Sequence, residues 1–204
     1  MFAGKLYYLS NIYFQEEGGE SMSVFTEEIL DRYKREIILK AKWTYDSIVE
    51  GLGVWNAIAE GKHDGKAEEV IRRFVSGITY AMSIVRILNV AGARNSSRAQ
   101  IRVDAIKNKW PNLPDAPQGL KQIRDDLEHF EERLDTWAFT SSSHSIVDLN
   151  LGMSPEGLGS FFGVEEKELL RNVDLENNFL FWNHKVKLKE VLDWAQKLKE
   201  EIEK

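Results

Sequence analysis

The chain has 204 residues, 43% of them hydrophobic and 29% charged. That is enough for one large domain, or a domain with a small appendage, burying roughly 70% of its unfolded surface, and it excludes wholesale disorder and a fibrous repeat. The absence of cysteine removes disulfide scaffolds, thiol nucleophiles, zinc knuckles and iron–sulfur clusters together, and the net charge of -6 (27 basic, 33 acidic side chains) repels polyanions at long range while leaving room for a local basic cleft.

The opening segment MFAGKLYYLSNIYFQEEGG has neither a continuous apolar core nor a small-residue cleavage site, so no signal peptide is expected and the chain reads as cytoplasmic. No window of about 18 uncharged apolar residues exists; the nearest, Ile78 to Val90, is interrupted by Arg86, so no membrane partner is expected.

From Phe25 to Glu60 the apolar residues Ile29, Tyr33, Ile37, Ala41, Ile48, Leu52, Trp55 and Ile58 recur mostly at three- and four-residue steps, which predicts a long amphipathic helix. Gly61 to Gly65, containing His63, breaks it. Val70, Phe74, Ile78, Met82, Val85 and Leu88 then predict a second, antiparallel helix. Ser97 to Gln100 has the form of a capping box and predicts a short third helix to about Trp110. Pro111, Pro114 and Pro117 enforce a turn, and Asp115 with Gln118 suggests the next start, with Pro117 in the first turn. Leu120, Ile123, Leu127, Phe130, Leu134 and Trp137 form one continuous apolar stripe along a fourth helix.

Past Phe139 the composition changes. Ser141 to Ser143 resembles a linker, Ile146 to Leu151 alternates as a half-buried strand does, and Leu169 to Leu175 with Phe179 to Asn183 suggests a hairpin around Asn177-Asn178. Val191, Ala195, Leu198 and Ile202 share one face of a final helix. The expected fold is therefore mainly α, a helical bundle over residues 20–140 with a small C-terminal α+β appendage over 141–204 packed on it.

On the fourth helix, Arg124 flanks the apolar stripe, and His129 points about 130° from its centre, away from the core. The two are five residues apart, about 140° of rotation and 7.5 Å of rise. They do not share a face, but two copies of this helix across a two-fold axis bring both pairs to one cleft. Asp125, four residues before His129, is placed to orient its ring.

Arg124-Asp125-Asp126-Leu127-Glu128-His129 resembles the R-(polar)-x3-H signature of the HEPN superfamily, on the helix where that family carries it, with Asp125 as the polar residue after the arginine. The resemblance spans about residues 25–140 and implies an up-and-down four-helix bundle that dimerises through the motif helix. It further implies a metal-independent endoribonuclease, in a toxin, defence or RNA-processing system, with His129 as acid/base, Arg124 stabilising the phosphate and Asp125 orienting. RNA is the implied substrate, no cofactor or metal is required, and an antitoxin or nucleotidyltransferase is an implied partner. Glu131 stands where many toxin members carry the tyrosine that such a nucleotidyltransferase modifies, and Glu128, Glu131 and Glu132 place three carboxylates beside the site.

The alternative, of a different class, is a non-catalytic HEPN-like dimeric binding or interaction module in which the charges of the fourth helix form a solvated face. Three lesser readings remain. Asp126-x-x-His129 and Glu60-x-x-His63 resemble the carboxylate-x-x-His pairs of di-iron bundle sites, but the two further carboxylates such a site needs are offered on the second helix only near its start, by Glu68 and Glu69. His144, Asp148 and the serines at 141–145 suggest a hydrolase but lack a nucleophile elbow. Arg86, in an apolar stretch, calls for a carboxylate partner or a cleft. His184 reads as a surface strand residue, and Gly157-Leu158-Gly159 lacks the context of a nucleotide loop.

Overall fold

The computed structural model describes residues 24–62 and 64–204. The readings placed on 1–23 and on His63 lie outside the described residues.

Helix α1 (Glu27–Ala59) starts at Thr26, whose hydroxyl accepts from the Ile29 N–H at 3.4 Å, with Glu27 and Glu28 favoured by the helix dipole in the first turn. At about 50 Å it is the longest element. Helix α2 (Ala67–Leu88) returns against it, burying Val70, Phe74, Ile78, Ala81 and Met82 on α1's Ile37, Ala41 and Ile48. The backbones meet closely at Gly77, where a Cβ would lie 2.6 Å from the Ile48 side chain.

Helix α3 (Ser96–Lys109) begins earlier than the Ser97 capping box predicts: Asn95 is the cap, accepting from Arg98 N–H at 2.9 Å, while Gln100 turns along the helix to Asp104. Helix α4 (Leu120–Glu128) begins later than Asp115 and Pro117 suggest, because Gly119 adopts a left-handed φ of 84° that ends the proline turn. The fourth helix of the sequence reading is not continuous. It breaks at His129 (φ −112°, ψ 36°) and resumes as α5 (Phe130–Thr140), in which no residue is fully buried.

Residues 146–151 form no strand but two single bridges, Val147 to Leu169 and Leu151 to Val173, since Leu149 takes a positive φ of 58° that interrupts extension. A helix missed by the sequence reading, α6 (Pro155–Phe162), carries an ordinary start signal: Ser154 accepts from Gly157 N–H at 3.2 Å, with Pro155 in the first turn. Strands β1 (Asn172–Val173), β2 (Asn178–Phe181) and β3 (His184–Lys187) form an antiparallel sheet in that order, and α7 (Leu188–Glu203) follows directly.

The molecule is mainly helical, with this small sheet near its C-terminus. Helix α7 lies along α1, and one core joins Ile37, Phe74 and Ile123 to Phe179, Phe181, Val186, Val191 and Leu198. The C-terminal segment therefore supplies part of the core that α1 and α2 close upon. Among the described residues, no helix is long and apolar enough to cross a membrane.

A Cβ on Gly119 would overlap the Lys185 carbonyl oxygen of β3, whereas one on Gly53, in α1, meets nothing within 4 Å. Gly119→Ala is expected to lower stability by more than about 2 kcal/mol, through strain and loss of the α4–β3 contact, and Gly53→Ala to raise it by about 0.4–1 kcal/mol. Urea midpoints of the two variants test this contrast.

Candidate functional site

Arg124, Asp125 and His129 stand on consecutive turns but are not gathered into one cluster within a protomer. Arg124, with 19% of its side chain exposed, reaches Asp125 Oδ1 at 3.0 Å and Glu128 Oε2 at 2.5 Å. Asp125 thus holds the arginine rather than the His129 ring; its link to His129 is the backbone bond from His129 N–H to the Asp125 carbonyl at 3.0 Å. His129 is 54% exposed, with Nδ1 3.7 Å from Glu132. His129 caps the C-terminal end of α4, and its side chain is half-exposed there.

Arg86 finds the carboxylate its sequence context calls for, in Glu128, which it shares with Arg124; the pair is half-exposed rather than buried. One further arginine of α2 and one of α3 are also committed. Arg73 bridges Glu50 and Glu69, and Arg102 donates to the carbonyls of Ile87, Arg86 and Asn89, capping the end of α2.

A second constellation does gather, and its centre is Asp126. This carboxylate is 1% exposed although it interrupts the predicted polar face. Its Oδ1 accepts from Arg133 Nε at 2.9 Å, two turns ahead on the same face across the break, and its Oδ2 lies 2.6 Å from His184 Nδ1 at the start of β3. An ionised carboxylate can only accept, so opposite one the His184 ring presents its proton on Nδ1, and Nε2 has no partner among the described residues. The group borders a cavity of about 270 Å³ that Thr136, Trp137, Lys167 and Trp182 also line.

Trp182 opens the two-residue turn between β2 and β3 with a φ of 51°, a conformation that a glycine would adopt freely and that costs a bulky residue about 1–3 kcal/mol. Its ring packs edge-on to Phe181 at 6.1 Å, and its Nε1 is buried with no hydrogen-bond partner. The sequence offered Asp126 only as a metal ligand paired with His129, and gave no role to Arg133, Lys167 or Trp182 beside it. One signal was present: Asp126 and Arg133 have opposite charge at a seven-residue spacing beside the apolar stripe. Nothing in the sequence announced that the β2–β3 hairpin would bring His184 and Trp182 to them.

The remaining readings come apart. His144 packs edge-on against Trp137 at 5.9 Å, while Asp148 is paired with Arg171 (3.0 Å from Nε). Ser141 and Ser143 donate to the buried Glu168 carboxylate at 2.6 and 2.7 Å. No group of three or more carboxylate or imidazole side chains arranged to hold a metal ion occurs among the described residues. Comparison with protein-family models, curated proteins and solved structures finds no match to this chain.

The hydrogen bond from Ser141 holds the Glu168 carboxyl below the usual glutamate range, outweighing burial, with help from the Glu165 backbone N–H and Ser143. A lowered folded value stabilises the native state above the ordinary range, near about 4.3, and that stabilisation drains as pH falls through the folded value. The stability difference between wild type and Glu168→Gln is therefore expected to be largest near neutrality and to shrink in acid, as urea titrations at several pH values would register. For Asp126→Asn, which weakens two charge-assisted bonds, a loss of about 1.5–3 kcal/mol is expected in the same assay.

Proposed function

We propose that the chain is a metal-independent endoribonuclease of HEPN type, working as a homodimer whose two motif helices build one cleft. The supporting observation is the break at His129, which leaves a half-exposed imidazole, 3.7 Å from Glu132, at the end of the short helix that carries the Arg124 guanidinium. In this reading the neutral His129 ring takes the proton of a ribose 2′-hydroxyl. The 2′-oxygen attacks the adjacent phosphorus, the 5′-oxygen leaves and takes up a proton, and the product ends in a 2′,3′-cyclic phosphate.

Arg124 neutralises the charge that gathers on the phosphoryl oxygens. To do so it exchanges Asp125 or Glu128 for the phosphate. Glu128, if released, keeps Arg86 as partner, and Asp125, if released, is partly exposed to water. A toxin or defence role, with a neutralising protein partner, belongs to this same reading. The same ion pairs favour a second one: Arg124 is already occupied by two carboxylates, as suits a non-catalytic dimeric interaction module.

The deciding experiment incubates a mixed RNA panel with the full chain in EDTA and analyses the product ends. Cyclic-phosphate ends that fall by about 10²-fold or more in His129→Ala, and comparably in Arg124→Gln, are the expected result. RNA left intact by a wild-type protein that sediments as a dimer would transfer the assignment to the interaction module.

A further inference from the structure

The cavity at the Asp126 cluster carries a recognition chemistry that the ribonuclease reading does not use. Its walls come from three stretches distant in sequence: α4 and α5, the short 3-10 turn at Glu166–Glu168, and the tip of the β2–β3 hairpin. Among the described side chains Asp126 is the one carboxylate lining it, with both oxygens engaged, by Arg133 and by His184, and Lys167 lines the same cavity. With Nε anchored on Asp126, the Arg133 guanidinium is held in place, and its two terminal nitrogens have no protein partner among the described residues. Lys167 pairs with the exposed Glu165 at 2.9 Å, its one ionic partner among the described side chains. His184 offers Nε2. Three donor groups therefore stand around one cavity, two of them, Arg133 and His184, anchored on the Asp126 carboxylate.

The opposite character is supplied by indoles. Trp137 and Trp182 both line the cavity, and the fold holds Trp182 there at a backbone angle suited to glycine. A fixed arginine fork with a lysine and an imidazole matches a tetrahedral dianion better than a planar monoanion. The flat apolar walls match an aromatic body. At about 270 Å³ the space lies near the lower end of small-ligand sites, roughly 300 Å³ and above.

We propose that this cavity binds a small aromatic phosphate monoester, its phosphate on Arg133, Lys167 and His184 and its ring against Trp137 and Trp182. The site is separate from Arg124 and His129 and stands whether or not the chain cuts RNA.

Isothermal titration of the full chain at pH 7 with phenyl phosphate, inorganic phosphate and benzoate tests it. One phenyl phosphate per chain is expected, bound at least ten-fold more tightly than either of the other two. Lys167→Gln, a change at an exposed side chain that leaves the core untouched, and Arg133→Gln should each weaken binding about ten-fold. The double variant Arg124→Gln with His129→Ala should bind as the wild type does. Phenyl phosphate bound no better than inorganic phosphate or benzoate, unchanged binding in Lys167→Gln, or loss of binding in the Arg124 and His129 double variant would each overturn the assignment.

Discussion

A carboxylate withdrawn from water must be neutralised by the protein, and Asp126 is withdrawn almost completely. Its two partners come from different directions, Arg133 from α5 and His184 from β3, so one side chain ties the two halves of the broken motif helix to the sheet. Around that tie Phe130 packs on Phe181 at 6.1 Å, and Arg171 lies over the Phe130 ring at 5.9 Å. The local arrangement of α4, α5 and the hairpin follows from satisfying this charge as much as from burying apolar surface.

The wider frame is set by α1. A helix of 33 residues presents more apolar face than one partner covers, and both α2 and α7 take part of it. Because α7 emerges from β3 without a loop, its docking on α1 also fixes where the sheet sits, and Gly119 lets α4 begin against the backbone of β3. Residues beyond 141 therefore position the candidate site: they provide His184, Lys167 and Trp182, and they close the core beneath it.

The break at His129 separates two environments along one stretch of chain. On the α4 side, Arg124, Glu128 and Arg86 form a surface ion-pair chain, in which each link is worth little and partners exchange readily. On the other side, Arg133 is directed inward to a buried charge. The two arginines, nine residues apart, thus have different chemistry available to them, one exchangeable and one fixed.

Helices α1, α2 and α7 were legible in the sequence because their apolar residues recur at the helical period over many turns, and that pattern reports burial whatever the partner. The hairpin between β1 and β2 was legible for a similar reason, from strand-like runs bounded by Asn177-Asn178. The Arg124 and His129 pair was visible as spacing. Its surroundings were not, since which carboxylate an arginine finds depends on the rotamers and neighbours of a packed surface. The break at His129 and the burial of Asp126 escaped the periodic reading because a helix stripe does not distinguish Leu127, partly buried, from Asp126, fully buried, until α5 and the sheet arrive. The sequence by itself determined the long helices and the overall charge. Only the tertiary structure decided that residues 126, 133, 167, 182 and 184 share a cavity, because contacts between positions up to 58 residues apart leave no local period to read.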